Sequence, residues 1–353
     1  MKVLLVFIIT TLAWLVLSPV PIEPVAWEPP PAPALQGPYA VNDRLAEVRR
    51  VGRGVGAGPE DVAVAENGTV YVGYEDGRIV RFVPGQGAPR LFAQTGGRPL
   101  GMEFDAAGRL VVCDGYKGLL RIAPDGTIEV LATAADGLPF GFTNDLDIAA
   151  DGTIYFSDAS WKFGPAMKAR DDILEHGGNG RLMQYDPATG AVTVLLDGLQ
   201  FANGVALAPD ERSVLVVQTG SYNVLRYWLA GERAGTHEVF FDNLPGIPDG
   251  LSSNGRDTYW LALFTVRNPA LDALAGSPWL RKLVFRLPQF LQPQPAPHAF
   301  VLGLSLDGEV VHNLQHDSAD SFAPVTSVTE AGGRLYLGSL TQEAFGVYTL
   351  PAP

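Results

Sequence analysis

The chain has 353 residues, of which 18% are charged, with 40 glycines and 28 prolines. That composition suits a large all-β protein rich in tight turns and speaks against a helical bundle. A formal net charge of −13 excludes a nucleic-acid partner, which would need clustered Lys and Arg, and the single cysteine, Cys113, excludes an internal disulfide or a cysteine-based metal site.

Residues 1–20 open with Lys2 and continue as an apolar run from Val3 to Leu17. This length lies between a signal-peptide core and a bilayer span of about 20 residues, and no clear Ala-x-Ala cleavage site follows. The segment reads as a signal anchor or a signal peptide, with a buried helix as a third reading. The positive charge at Lys2 puts the N-terminus on the cytoplasmic side. The rest of the chain is then exported, either anchored and facing the periplasm or extracellular side, or secreted. Residues 21–44 form a Pro-rich linker within a stretch that holds Pro19, Pro21, Pro24, Pro29, Pro30, Pro31, Pro33 and Pro38. Such a segment is expected to be a semi-rigid stalk.

From residue 45 to 353 the chain is a string of short strands separated by turn pairs such as Asn67-Gly68, Asp76-Gly77 and Asp151-Gly152. The strands group into units that open near Glu60, Gly101, Asn144, Asn203, Asp249 and Val325. The first spacings match a four-stranded propeller blade of roughly 40–45 residues, and the longer ones carry insertions. The last unit has three evident strands, and Leu45–Val51 is a spare strand at the other end. Pairing it with the strand that ends at Leu350 would close the ring and remove an exposed sheet edge. The expected fold is an all-β, six-bladed β-propeller. A β-sandwich is the rival, but it has no reason to keep a four-strand period. Cys113, in Leu110-Val-Val-Cys113, reads as a buried thiol of a core strand.

Two insertions interrupt the pattern. Residues 159–180 hold a short helical stretch, Met167–Glu175. Residues 266–298 hold Pro278-Trp-Leu-Arg-Lys-Leu-Val-Phe-Arg-Leu-Pro288, bounded by proline at both ends. Trp279, Leu280, Leu283, Val284 and Leu287 fall near one helix face, with Arg281, Lys282 and Arg286 as the polar remainder. This face is expected to pack on the propeller as a lid, or else to touch a bilayer.

The blade openings carry the chemistry. Glu60, Asn144, Asn203 and Asp249 stand at the openings of the first, third, fourth and fifth units. In a propeller these positions converge on one end of the central channel, as two carboxylates and two amides. Taken singly, an Asn-Gly or Asp-Gly is usually a turn former. Together they present hard oxygen ligands with no His or Cys, a set that suits Ca²⁺. A cation would also relieve the repulsion between carboxylates in a partly dry channel.

Gly97-Arg-Pro-Leu-Gly-Met102, Cys113-Asp-Gly-Tyr-Lys-Gly-Leu119, Tyr155-Phe-Ser-Asp-Ala-Ser160 and Leu335-Tyr-Leu-Gly-Ser339 resemble the strictosidine synthase-like, adipocyte plasma membrane-associated protein-like family. The resemblance covers nearly the whole chain. That group is similar to the calcium-dependent propeller hydrolases, among them gluconolactonase and paraoxonase. The resemblance implies that Glu60, Asn144, Asn203 and Asp249 hold a calcium ion, and that a second ion would use Asp61 and Asp145. It also implies a hydrolase of esters or lactones, of arylesterase or lactonase type, with Asp249 or Asp145 activating water or attacking directly. Phe140, Phe142, Phe201 and Trp161 near the expected mouth point to an apolar substrate, although aromatic residues there could equally be core. The alternative is a non-catalytic calcium-containing propeller that binds a ligand or a protein. The position of the acid/base glutamate in the plant alkaloid-forming enzymes falls at Thr326, which argues against strictosidine condensation. His176, His237, His298, His312 and His316 have no match to paraoxonase's histidine pair and read as surface or structural residues.

Overall fold

The turn pairs fold the chain back on itself as expected. Gly68, Gly77 and Gly152 all take positive φ, and Thr153 N donates to Asp151 Oδ1 at 2.9 Å across the turn. The computed structural model describes residues 14, 17–165 and 169–351. Among them are six four-stranded antiparallel sheets and one two-stranded hairpin.

Blade one is Val62–Val64, Val70–Gly73, Arg78–Phe82 and Arg90–Gln94; blade two is Pro99–Phe104, Leu110–Asp114, Gly118–Ile122 and Ile128–Ala132. Blade three is Thr143–Ile148, Ile154–Asp158, Gly180–Tyr185 and Val192–Leu199; blade four is Ala202–Leu207, Ser213–Gln218, Asn223–Trp228 and His237–Phe241. Blade five is Gly246–Ser253, Thr258–Val266, His298–Ser305 and Val310–Asp317. Blade six takes Val328–Ala331, Arg334–Leu337 and Phe345–Thr349 from the C-terminal end and Arg49–Val51 from the N-terminal end.

The ring therefore closes as the strand count requires, with Arg49 opposite Val347 and Val51 opposite Phe345. The closing strand is shorter than expected. Of Leu45–Val51 only Arg49–Val51 is strand, and Arg44–Glu47 is a 3₁₀ turn. Leu45 is the reason: it is buried among Trp260, Phe322, Val325 and Tyr348, under the blade five–six joint, so it serves as a plug and not as an edge.

The core lies between blades. Successive strand side chains face opposite ways, so each middle strand feeds two cores. In blade two, Leu110 and Val112 pack on blade one, while Val111 and Cys113 pack on blade three. Cys113 is fully buried, and burial pushes its thiol well up, as an inert core residue requires.

The proline-rich segment is extended but is not a free stalk. Val25 N donates to Glu175 O at 2.8 Å and Trp27 N to Ala275 O at 3.3 Å. Arg267 Nη2 reaches Pro30 O at 2.7 Å and Asn243 Nδ2 reaches Pro31 O at 2.9 Å. Farther on, Asn313 and Gln315 of blade five donate to Ala40 O and Tyr39 O. The segment is a strap laid from the two insertions across blades four and five to the closing strand.

Both insertions contain helix. Ala169–Glu175 lies in the second-to-third-strand connection of blade three, and Pro269–Leu274 and Pro278–Arg286 lie in that of blade five. Most of the apolar run from Val3 to Leu17 falls outside the described residues. Among the described residues no helix is long and apolar enough to cross a membrane.

Candidate metal centre

The innermost strand of each blade starts at the same end of the channel, and the strand pairing fixes which residues are equivalent. Val62, Met102, Leu146, Val205, Leu251 and Val328 all sit opposite the corresponding residue of the second strand. Two residues earlier stand Glu60, Leu100, Asn144, Asn203, Asp249 and Thr326. The four expected ligands are thus one ring of equivalent positions, completed by Leu100 and Thr326. In blades two to five the pairing slips just there, between Pro99 and Met102, Thr143 and Leu146, Ala202 and Val205, and Pro248 and Leu251. Such a bulge turns a side chain out of the alternation and is common beside functional sites.

The loops leading into these strands are held from behind. Asp114 Oδ1 accepts from Arg98 N at 2.8 Å, Asp158 Oδ1 from Phe142 N at 2.7 Å, and Gln218 Oε1 from Gln200 N at 3.0 Å. Each acceptor ends the second strand of its own blade. Arg181 neutralises Asp158 at 2.6 Å. The first blade is held by the sixth: Thr326 Oγ1 and Ser327 Oγ donate to Glu60 O at 2.8 and 2.9 Å.

A cavity of about 270 Å³ runs down the channel, lined by Glu60, Asn144, Asn203 and Thr326, with Glu103 and Asp147 farther along. Asp249 joins this group through Asn203, whose Nδ2 donates to Asp249 Oδ1 at 2.6 Å and to Thr219 Oγ1 at 3.2 Å. All four expected ligands are buried. Burial, and then Asp249 and Asp61 nearby, push the Glu60 carboxyl well up, against the opposing pull of Arg98. Burial pushes Asp249 up to about 7 despite the hydrogen bond from Asn203.

These residues fit a hard cation. No protein hydrogen bond among the described residues reaches the Glu60 carboxylate or the Asn144 side chain, although both are buried. Both line the channel cavity, so their oxygens are free to meet an oxygen-seeking ion there. Among the described residues no group of three or more His, Cys, Asp and Glu side chains gathers as a ready ligand set. Two of the four expected ligands are amides, so carboxylate clustering alone does not reveal the site.

Asp61 and Asp145 stand one residue beyond the ring, and each is engaged. Asp61 Oδ2 accepts from Met102 N at 2.8 Å, tying blade one to blade two. Asp145 accepts from Leu146 N at 2.9 Å through Oδ1 and from Val205 N at 2.9 Å through Oδ2, tying blade three to blade four. Burial pushes both carboxyls up, Asp145 well up.

Two model matches and strong similarity over most of the chain accompany this geometry. Residues 144–232 match the strictosidine synthase model and residues 37–82 the strictosidine synthase-like N-terminal model. Strictosidine synthase-like 10 of Arabidopsis thaliana is 38% identical, over 83% of this chain and 86% of its own length. The chain belongs to the strictosidine synthase-like family. Within the family's reach, adipocyte plasma membrane-associated protein of Salmo salar is 34% identical over 90% of this chain and 82% of its own length. By shape, a gluconolactonase from Xanthomonas campestris superposes with a TM-score of 0.63 at 20% identity, covering 95% of this chain and 99% of its own. Regucalcin of Agrobacterium tumefaciens, a calcium-binding protein, superposes at 0.58 with 14% identity, covering 85% and 94%. These two likenesses establish a shared propeller.

Several residues around the ring stand apart from the sequence expectations. Arg98 is buried beside Glu60, with Nη1 lacking a hydrogen-bond partner. Aligning the openings shows an arginine two residues before Leu100, where the other blades carry Gly58, Phe142, Phe201, Ile247 and Pro324. Glu103 and Asp147 form a carboxyl pair deeper in the channel, each pushed up chiefly by burial, Asp147 to about 6. The expected aromatic mouth is only partly present. Phe140 lines a second cavity with Tyr116 and Thr143, and Trp161 is exposed, but Phe201 is a buried residue of the blade-four opening. Of the histidines, His176 and His298 are buried; His298 Nε2 pairs with Gln315 Oε1 at 2.8 Å.

Proposed function

We propose that this protein is a calcium-dependent hydrolase of esters or lactones. The observation that carries the proposal is the ring of Glu60, Asn144, Asn203 and Asp249. These are two carboxylates and two amides at equivalent positions in four blades, buried around one end of a solvent-sized channel. Those four residues would hold the ion. The chemistry a bound calcium supplies there is polarisation of the substrate carbonyl and stabilisation of the negative charge that develops on its oxygen.

Two aspartates compete for the base or nucleophile, and their hydrogen bonds separate them. Both oxygens of Asp145 accept backbone N–H groups, so its carboxylate is occupied in joining blades. Asp249 spends one oxygen on Asn203 and, among the described residues, no protein hydrogen bond reaches its Oδ2. Asp249 is therefore assigned the base or nucleophile, Asn203 orients it, and Asp145 is a positioning residue. Asp61 and Asp145 would serve a second ion only with the oxygens their inter-blade bonds leave free. Thr326 replaces a proton-exchanging carboxylate with a buried hydroxyl committed to Glu60 O, so strictosidine-type condensation is not proposed.

The test is turnover of aryl esters and lactones with chelator present and then with calcium restored. Activity lost to chelator and regained with Ca²⁺ supports the hydrolase. Calcium-dependent ligand binding with no turnover on either substrate class replaces it with the binding propeller.

A further inference from the structure

The helix Pro278–Arg286 turns Arg281 inward and Trp279 outward. Its most buried residue is Arg281, at 3% exposure, whereas Trp279 is 68% exposed. Arg281 donates to Ala275 O at 2.7 Å and to Leu174 O at 3.0 Å, and it also holds Val25 O of the strap. Successive helical residues are turned by about 100°, so Trp279 and Leu283 lie on the side opposite Arg281. The chain then continues into a 3₁₀ turn where Phe290 is 80% and Leu291 58% exposed. A lid sealing on the propeller would bury Trp279 and Phe290.

Two further observations say what covers this face. Arg286 donates through Nε to Ser18 O at 2.8 Å, so the apolar run that precedes Ser18 joins the described chain at the end of this helix. Trp14 and Leu17 of that run are themselves exposed, at 56% and 78%. The second observation is charge. The chain as a whole carries −13, yet no Asp or Glu occurs between Asp272 and Asp307, while Arg281, Lys282 and Arg286 all fall there. An exposed Trp–Phe–Leu surface flanked by Lys282, on a stretch of chain without Asp or Glu, is the composition that settles into a lipid headgroup layer.

We propose that Trp279, Leu283, Phe290 and Leu291 form a bilayer-contacting surface, beside Ser18 at the end of the apolar N-terminal run and flanked by Lys282 toward anionic headgroups. The surface is built on the second-to-third-strand connection of blade five, at the end of the propeller where the blade openings lie. It does not depend on the metal centre or on hydrolysis.

Single spin labels on the full chain test it. Cys113 is fully buried and does not compete for the label. Trp279→Cys and Phe290→Cys report the surface, and Val239→Cys, half-exposed on the outer strand of blade four, is the reference. The chain is added to vesicles of phosphatidylcholine and phosphatidylglycerol. The expected result is that labels at 279 and 290 lose most of their collisions with a water-soluble nickel chelate and gain collisions with oxygen, while the label at 239 keeps its solution values. Labels at 279 and 290 that stay accessible to the chelate on vesicles overturn the proposal, as does a chain that remains in the aqueous phase. Protection that arises without lipid and grows with protein concentration also overturns it, making the face an interface between copies.

Discussion

Gly338 packs directly on the backbone of Glu60. A Cβ at position 338 would stand 1.9 Å from the Glu60 carbonyl oxygen and 2.4 Å from Ser327 Oγ. Blade six thus sets where blade one begins, and with it the position of a candidate ligand. Gly338→Ala cannot be accommodated by a side-chain rotation, because the obstacle is backbone. It should cost about 1–3 kcal/mol as an overpacking change and weaken calcium binding as Glu60 is displaced. Gly87→Ala is the reference, since a Cβ there meets nothing. Calorimetric calcium titration and thermal unfolding of both variants check this. Unchanged calcium affinity in Gly338→Ala would show that Glu60 is not a ligand.

His176 stacks on Trp27 of the strap, ring centroids 4.2 Å apart and planes 5° from parallel. Burial, and secondarily Arg281, lower its pKa from 6.5 to about 4. The docked strap therefore binds fewer protons than the undocked one between those values. Its stability is fully present above about 6.5 and is lost as pH falls toward 4, by up to about 3 kcal/mol. Amide exchange of residues 22–31 should accelerate over that window. His176→Asn tolerates the positive φ of 54° at this position and cannot titrate, so its exchange should not follow the same curve. An identical pH dependence in both proteins would remove His176 from the account.

Arg281 ties the strap to both insertions, through Val25 O, Leu174 O and Ala275 O. Arg281→Met removes this donor from Val25 O and Leu174 O and leaves Ala275 O only Trp27 N, at a cost of about 1–3 kcal/mol. Arg281→Lys should rescue little, since one ammonium cannot replace a planar fork serving three segments. Limited proteolysis between residues 19 and 31, together with the unfolding temperature, reads the effect. A methionine variant as protease-resistant and as stable as the parent would refute this role.

The repeat was legible because each blade solves the same packing problem. Alternating strands such as Leu110–Cys113 must feed two inter-blade cores, and Asn-Gly or Asp-Gly must turn them. The ring of Glu60, Asn144, Asn203 and Asp249 was legible for the same reason, since equivalence of position follows from equivalence of strands. What the sequence could not show is set by partners distant in the chain. The bulges at the blade openings are defined by cross-strand register. The roles of Asp61 and Asp145 as inter-blade acceptors depend on Met102 and Val205 in the next blade. Arg281 reads as the polar side of an amphipathic helix, and only the carbonyls of Leu174, Val25 and Ala275 turn that side inward. Leu45 looks like strand by composition, and its place in the apolar cluster with Trp260, Phe322 and Tyr348 makes it a plug.

Asp249 has two separable duties, and Glu60, the other carboxylate of the ring, provides the comparison. As a ligand it supplies charge, and Asp249→Asn should then weaken calcium binding while saturating calcium restores much of the rate. As base or nucleophile it does what an amide cannot, and the variant should stay slow at saturating calcium, by roughly 10²–10⁴-fold for lost general-base action. Glu60→Gln carries the ligand change alone, because Glu60 is given no proton-transfer duty. The pH profile adds a second reading. With its carboxyl held up to about 7 by burial, Asp249 as base must lose its proton, so the metal-free state is protonated below neutrality and the rate should climb as pH rises through the value that calcium leaves it. Asp249→Asn should abolish that limb, and Glu60→Gln should keep it. Hydrolysis rate measured against calcium concentration and pH for both variants decides between the duties. If neither substitution changes calcium affinity or rate, the blade-opening residues are turn formers, and the calcium-dependent hydrolase falls with them.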